Sequence, residues 1–239
     1  MSVKSMDANT VKLGKSGVVY IIKLQIQLLI MAAIFFTAAG SLHVKRGWIY
    51  FGIAAVTYVV SSIILIKSSP ELLNERAKSR DNTKSRDKIL VSLYLFIGFI
   101  GTHIVAGLDI GRFEWSELPI IYLIPGAVLY IASTAFGIWA MIVNKHFETT
   151  IRIQEDREHK VVKDGPYKIV RHPGYLSVLI TWSSVPLMIG SLYAFFCTAA
   201  VFIIMIIRTA YEDKTLQKEL PGYSQYAKEV KSRLVPGIW

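Results

Sequence analysis

Two small groups of residues carry the side-chain types that chemistry needs. The first lies in the stretch from His159 to Tyr175, HKVVKDGPYKIVRHPGY, where His159, Tyr167, Arg171 and His172 can each hydrogen-bond a polar ligand. Lys163, Asp164, Gly165 and Pro166 form a turn signal that folds this stretch back on itself, with Gly165 free to take positive φ and Pro166 fixing the exit. Backbone groups in such a loop are not consumed by a long helix and stay available to a ligand. The second group is Arg208 and Glu212, four residues apart at the end of an apolar run, so that both face the same way and can reach one ligand or each other. Glu212 suits an amine or a ribose diol, and Arg208 suits a carboxylate. A plain helix salt bridge is the competing reading of that pair. Interfacial belt residues are the competing reading of Tyr167, Arg171, His172 and Tyr175. The position favours a ligand, because ionisable groups at a membrane-helix end are costly unless they pair or bind something polar.

The elements that hold these groups are apolar. The chain has 239 residues, 53% of them hydrophobic and 18% charged, with net charge +10 and mean hydropathy +0.43. That is too apolar for an ordinary soluble domain and fits a multispanning membrane protein. The basic residues sit in short segments between apolar runs and form no basic domain face, which argues against nucleic acid as partner. Cys197 is the single cysteine, which excludes an intrachain disulfide and an iron–sulfur cluster. The histidines, His43, His103, His146, His159 and His172, lack metal-binding helical spacing. There is no GxGxxG after a strand, no P-loop and no GxSxG elbow.

The pattern predicts an all-α integral membrane fold of about six spans: Gly17–Ser41, Trp48–Ile66, Ile89–Gly107, Pro119–Val143, and a hairpin of Tyr175–Ile189 with Leu192–Tyr211. The first run is read as a span and not as a cleaved signal. Pro125 and Gly126 are expected to bend the fourth span, and Pro186, Gly190 and Ser191 to break the last apolar stretch. Lys67 to Lys88 carries Lys67, Arg76, Lys78, Arg80, Lys84, Arg86 and Lys88, and should be cytosolic, with a short helix from Glu71 to about Lys78. It serves either as a solvated loop against anionic lipid or as a lid over a membrane-surface site. The loop with Asp109, Arg112, Glu114, Trp115 and Glu117 then falls outside, the basic loops share one side, and both termini are cytosolic. The tail should form one helix ending near Glu219 and a second from Tyr223 to Ser232, lying back over the cytosolic face. Residues 1–143 would be a four-helix membrane region, and 144–239 the catalytic one.

Gln154, HKVV at His159 to Val162, GPY at Gly165 to Tyr167, RHPGY at Arg171 to Tyr175, and Arg208 with Glu212 and Asp213 together resemble the isoprenylcysteine carboxyl methyltransferase and phospholipid methyltransferase family. The likeness runs on through GYSQYAKEVKSRLVPGIW and is fainter in SPELLNER at Ser69 to Arg76. The resemblance implies a membrane enzyme that binds S-adenosylmethionine without a Rossmann sheet. It implies a cofactor site of Gln154, His159, Lys160, Val161, Val162, Tyr167, His172, Pro173, Gly174, Tyr175 and Glu212. Arg208 would grip an anionic substrate and Arg171 would shape the entrance. Gln154 sits closer to His159 than in the eukaryotic enzymes, and Asp213 stands where a second glutamate is common. The implied substrate is lipophilic, prenylcysteine-like or another lipid, delivered from the bilayer. Attack on an activated methyl needs alignment and no general base. An NADPH-dependent sterol-type reductase and a non-catalytic membrane scaffold are the alternatives.

Overall fold

The computed structural model describes residues 12–78, 85–148 and 150–239. The basic side chains Lys4, Arg80 and Lys84 lie outside the described residues. The described chain is helical without strands: α1 (Lys15–Ala39), α2 (Lys45–Ser68), α3 (Pro70–Arg76), α4 (Ser85–Phe113), α5 (Ile120–Val143), α6 (Pro173–Ile189), α7 (Ala194–Glu219) and α8 (Tyr223–Glu229). Helices α1, α2, α4, α5 and α7 are long and apolar enough to cross a bilayer. At 17 residues α6 is shorter, rising about 26 Å, and it is the most enclosed, with Val185, Met188 and Ile189 at or below 1% exposure. The protein is an integral membrane helix bundle. Large apolar side chains such as Leu29, Val56, Ile124 and Phe196 remain on its outside, as a lipid-facing surface requires.

Small residues let the helices close. On α4, Gly107 and Gly111 cross α1 so tightly that a Cβ at Gly107 would stand 2.5 Å from the Phe35 carbonyl oxygen. Between α5 and α6, the Ser177 hydroxyl donates to the Ser133 carbonyl at 2.8 Å, and Ser133 and Thr181 hydroxyls lie 2.8 Å apart. Pro125 falls in the first α-turn after the 3₁₀ turn Ile120–Tyr122, where a missing N–H costs little.

Several sequence boundaries shift for a physical reason. The third span extends over Ser85–Phe113, with π-helical turns at Leu95–Gly101 and Leu108–Phe113. Asp109 and Arg112 are therefore helical rather than in the outer loop. Asp109 is fully buried and accepts from the Ser116 and Ser191 hydroxyls at 2.6 and 2.5 Å, while Arg112 donates to the Ala38 and Thr37 carbonyls that end α1. The last span and the first tail helix are one rod, α7, of 26 residues. The break before it forms at Gly190, in the left-handed region at φ 97°. One basic turn departs from the one-sided expectation. Arg46 stands at the end opposite the other basic segments, where it donates to the carbonyls of Leu118, Leu187 and Met188 at 2.5, 2.5 and 3.0 Å. It caps the C-terminal end of α6 through Leu187 and Met188 and ties it to the Leu118 carbonyl.

Candidate functional site

The segments 69–78, 144–148, 150–172 and 220–239 meet at one end of the bundle. The connector 144–172 turns as its composition dictates: Gly165 takes φ 55° and opens a 3₁₀ turn, Gly165–Lys168. Tyr167 is pulled inward, its hydroxyl accepting from Asn144 Nδ2 at 2.9 Å and its carbonyl from the Tyr226 hydroxyl at 2.6 Å. Pro173 then sits at the first position of α6, which leaves His172 as the residue before the helix.

The tail is stapled to this point. The backbone N–H groups of Arg171 and His172 donate to the Ser232 and Arg233 carbonyls, both at 3.0 Å. Arg171 adds Nη1 bonds to the Val230 and Lys231 carbonyls at 2.6 and 2.8 Å. These demands explain why α8 ends at Glu229 and not at Ser232: residues 230–233 must offer their carbonyls sideways rather than along a helix. Leu220, Tyr223 and Tyr226 pack beneath, at 5% exposure or less, with Tyr167 and Ala140.

Asp213, fully buried on α7, gathers the polar groups around it. Arg171 grips it with Nε and Nη2 at 2.8 and 3.0 Å, His172 Nε2 lies 3.1 Å away and the Tyr223 hydroxyl donates at 3.1 Å. Gln217 and Arg233 complete the set at 2.8 and 3.0 Å. One turn away, Arg208 Nε donates to Asp87 Oδ1 at 2.7 Å, and Asp87, also fully buried, accepts the Ile151 N–H at 2.8 Å. The Arg208 guanidinium lies 5.2 Å from the centre of the Tyr175 ring. The Tyr175 hydroxyl donates to Glu212 in a short bond. Tyr175 stacks at 17° on His172, with centroids 5.8 Å apart.

These groups enclose a cavity of about 390 Å³, within the range of small-molecule pockets. All thirteen residues singled out from the sequence line it: Gln154, His159, Lys160, Val161, Val162, Tyr167, Arg171, His172, Pro173, Gly174, Tyr175, Arg208 and Glu212. They do not stand in it alike. Arg171 is 6% exposed and committed to Asp213 and the tail, and Gln154, 2% exposed, has its amide bound to the His146 carbonyl and to Arg157. Lys160 is exposed and pairs loosely with Glu158 at 3.6 Å.

Sequence reasoning did not find Asp87, His146 or Arg76, which line or brace the same cavity. Asp87 was readable only as one acid in a basic segment. His146 is 5% exposed, and neither ring nitrogen has a partner among the described residues. An orphaned buried imidazole in a cavity that Glu212 also lines gives a donor and acceptor set that suits a polar, amine-bearing ligand. The His159 ring lies 4.6 Å from that of His146. Burial, then the field of His146, Arg152 and Arg157, pulls the His159 imidazole down to about 4, and burial lowers His146 as well. Both therefore stand neutral at neutral pH. Between pH 6.5 and about 4 an unfolded imidazole takes a proton that the folded His159 does not, so stability falls as pH is lowered through that window. The unfolding midpoint, followed by fluorescence in detergent, is expected to drop across it, and His159→Gln to remove part of the drop. An identical slope in the variant would contradict the assignment.

Residues 126–218 match the family model of the isoprenylcysteine carboxyl methyltransferase (ICMT) family. This part of the chain is similar to that family. The ICMT match starts in α5 and ends in the last turn of α7, so it takes in Arg171, His172, Arg208, Glu212 and Asp213 and leaves out α1–α4 and the tail. The chain is thus a membrane protein with a region similar to a methyltransferase family. Comparison with curated proteins gives no match.

Proposed function

We propose that the protein transfers a methyl group from S-adenosylmethionine to a lipophilic acceptor, the carboxylate of an isoprenylcysteine-like molecule. The observation that carries this reading is the two-sided make-up of one cavity. His146, His159, Glu212 and the tail tyrosines Tyr223 and Tyr226 form a polar, hydrogen-bonding side. Val91, Leu95, Met141, Val178 and Met205, deeper along their helices, form an apolar one. Such a cavity receives a nucleoside from water and a chain from lipid.

When bound, S-adenosylmethionine supplies an electrophilic sulfonium methyl. The residues that would hold it are Glu212, the connector residues Gln154, His159, Lys160, Val161, Val162 and Tyr167, and His172, Pro173, Gly174 and Tyr175 at the start of α6. The orphaned nitrogens of His146 extend that set. Displacement at a methyl carbon asks for in-line alignment and exclusion of water, and no base. Arg208, set by Asp87 and by the Tyr175 ring, orients the acceptor. Arg171 is a positioning residue that locks the tail over the site. The region boundary at 143 then cuts through the site, since Asp87 belongs to α4. By the positive-inside rule, the end bearing the site, with both termini, faces the cytosol.

The test is transfer of labelled methyl from S-adenosylmethionine into the lipid-soluble fraction by the purified protein in vesicles carrying a farnesylated cysteine. Wild type is expected to give label released as methanol by alkali, the mark of an ester. Glu212→Ala is expected to lower turnover at least about 100-fold, the loss of a charged contact to the cofactor. Alkali-stable label would place the methyl on nitrogen or sulfur and overturn the carboxylate assignment.

A further inference from the structure

Four guanidinium groups line the cavity, and three of them are already neutralised by carboxylates. Arg152 is held by Glu148 and Asp156 at 2.8 and 2.7 Å, Arg171 by Asp213 at 2.8 Å and Arg208 by Asp87 at 2.7 Å. Arg76, at the end of α3, differs. Its recorded partners among the described residues are neutral: Nε donates to the Tyr20 hydroxyl at 2.8 Å and Nη1 to the Phe147 carbonyl at 3.3 Å. Its guanidinium carbon lies 5.4 Å from the centres of both the Tyr20 and Phe147 rings.

From this we propose that Arg76 receives the anionic group of the lipophilic acceptor, and that it is the specificity-determining residue for an acid over its neutral ester. The inference rests on the methyltransferase reading for the identity of the cavity, and on Arg76 alone for the site of the anion. A guanidinium offers five N–H donors in a planar fork. Two of these are used by Tyr20 and Phe147, which leaves Nη2 and its face of the fork for a carboxylate. The two flanking rings fix its plane without cancelling its charge.

Its position is also fixed from below. Leu72 and Leu73 bury at 2% and 1% exposure, Asn74 accepts the Gly14 N–H at 2.8 Å, and Glu71 pairs with Arg157 of the connector at 2.9 Å. The segment from Ser69 to Arg76 is thus docked between α1 and the connector. Arg76, Tyr94 and Arg208 line the same cavity. Arg208 can reach a substrate carboxylate only in competition with Asp87, whereas Arg76 meets no such competitor among the described residues. In the reaction a C–O bond replaces the sulfonium C–S bond, and no proton moves. Esterification removes the charge that Arg76 holds, so the product is bound less tightly than the substrate.

The experiment titrates the full chain in detergent with N-acetyl-S-farnesylcysteine, with its methyl ester and with S-adenosylhomocysteine, for wild type, Arg76→Ala, Arg76→Lys and Tyr20→Phe. The acid is expected to bind wild type at least about tenfold more tightly than the ester, as a charged hydrogen bond in a partly buried site implies. Arg76→Ala should abolish that preference while leaving the ester and S-adenosylhomocysteine within about twofold, which also shows that the variant is folded. Arg76→Lys should keep part of the preference, and Tyr20→Phe most of it. Retention of the full preference for the acid in Arg76→Ala would overturn the proposal. Absence of S-adenosylhomocysteine binding to wild type, with the Arg76-dependent preference intact, would instead remove the methyltransferase reading and leave the anion site standing.

Discussion

Asp213→Ala is expected to free the C-terminal segment and to abolish binding in the cavity. The carboxylate is fully buried and receives Arg171, His172, Tyr223, Gln217 and Arg233, so its removal strands two guanidinium charges next to each other with their hydrogen bonds unmade. Breaking a buried pair in this way costs about 3–5 kcal/mol. The tail pays first, because residues 230–233 are attached through Arg171 and through the backbone beside it. The measurements are the thermal unfolding midpoint in detergent and the rate of trypsin cleavage at Lys228, Lys231 and Arg233. Asp213→Asn, which keeps the shape and loses the charge, should behave much like Asp213→Ala. Asp213→Glu should retain the tail at the cost of crowding a closed site. A tail that stays protected in Asp213→Asn would show that backbone pairing and apolar packing hold it without the carboxylate.

The second large effect concerns Asp87 and Arg208, which join α4 to α7. Asp87→Ala takes from Arg208 its buried carboxylate and leaves the Ile151 N–H without its acceptor, and is expected to cost about 3 kcal/mol. Replacing both members, Asp87→Leu with Arg208→Met, should recover part of that stability, because well-packed apolar side chains substitute for a buried ion pair at little cost. The double variant should nonetheless remain inactive, since it no longer has the group that orients the acceptor. The set of four proteins forms a double-mutant cycle, read by thermal unfolding and by methyl transfer. Strict additivity of the two stability losses would mean that the pair does not act as a unit.

Much of the site was legible because polar residues are informative where everything around them is apolar. The RHPGY stretch stood out at the mouth of a hydrophobic run, and the Gly165–Pro166 turn fixed the direction of the connector. Arg208 and Glu212 share one helix, so a spacing rule could pair their faces. The same rule could not reveal that Arg208 bonds Asp87, which lies 121 residues earlier. Nor could it separate Arg171, which clamps Asp213, from a residue at the entrance, since both uses ask for a guanidinium beside a loop. The spans were legible from hydropathy alone, whereas their ends were not. Asp87 and Asp109 extend α4 past both of its expected limits because each carboxylate finds buried partners there. Arg46 is the converse case: a basic residue that reads as a cytosolic marker is consumed at the far end by the carbonyls of α6. His146 gave no signal in the sequence, because an imidazole without partners is recognisable only once its surroundings are known.

The central claim is that this cavity binds S-adenosylmethionine. Calorimetric titration of the detergent-solubilised protein with S-adenosylhomocysteine and, separately, with NADPH tests it most directly, with Glu212→Ala and His172→Ala as controls. The account predicts saturable binding of S-adenosylhomocysteine alone, lost in both variants while each retains its helical content. Binding of NADPH in preference to S-adenosylhomocysteine, or binding of S-adenosylhomocysteine that survives Glu212→Ala unchanged, would contradict it.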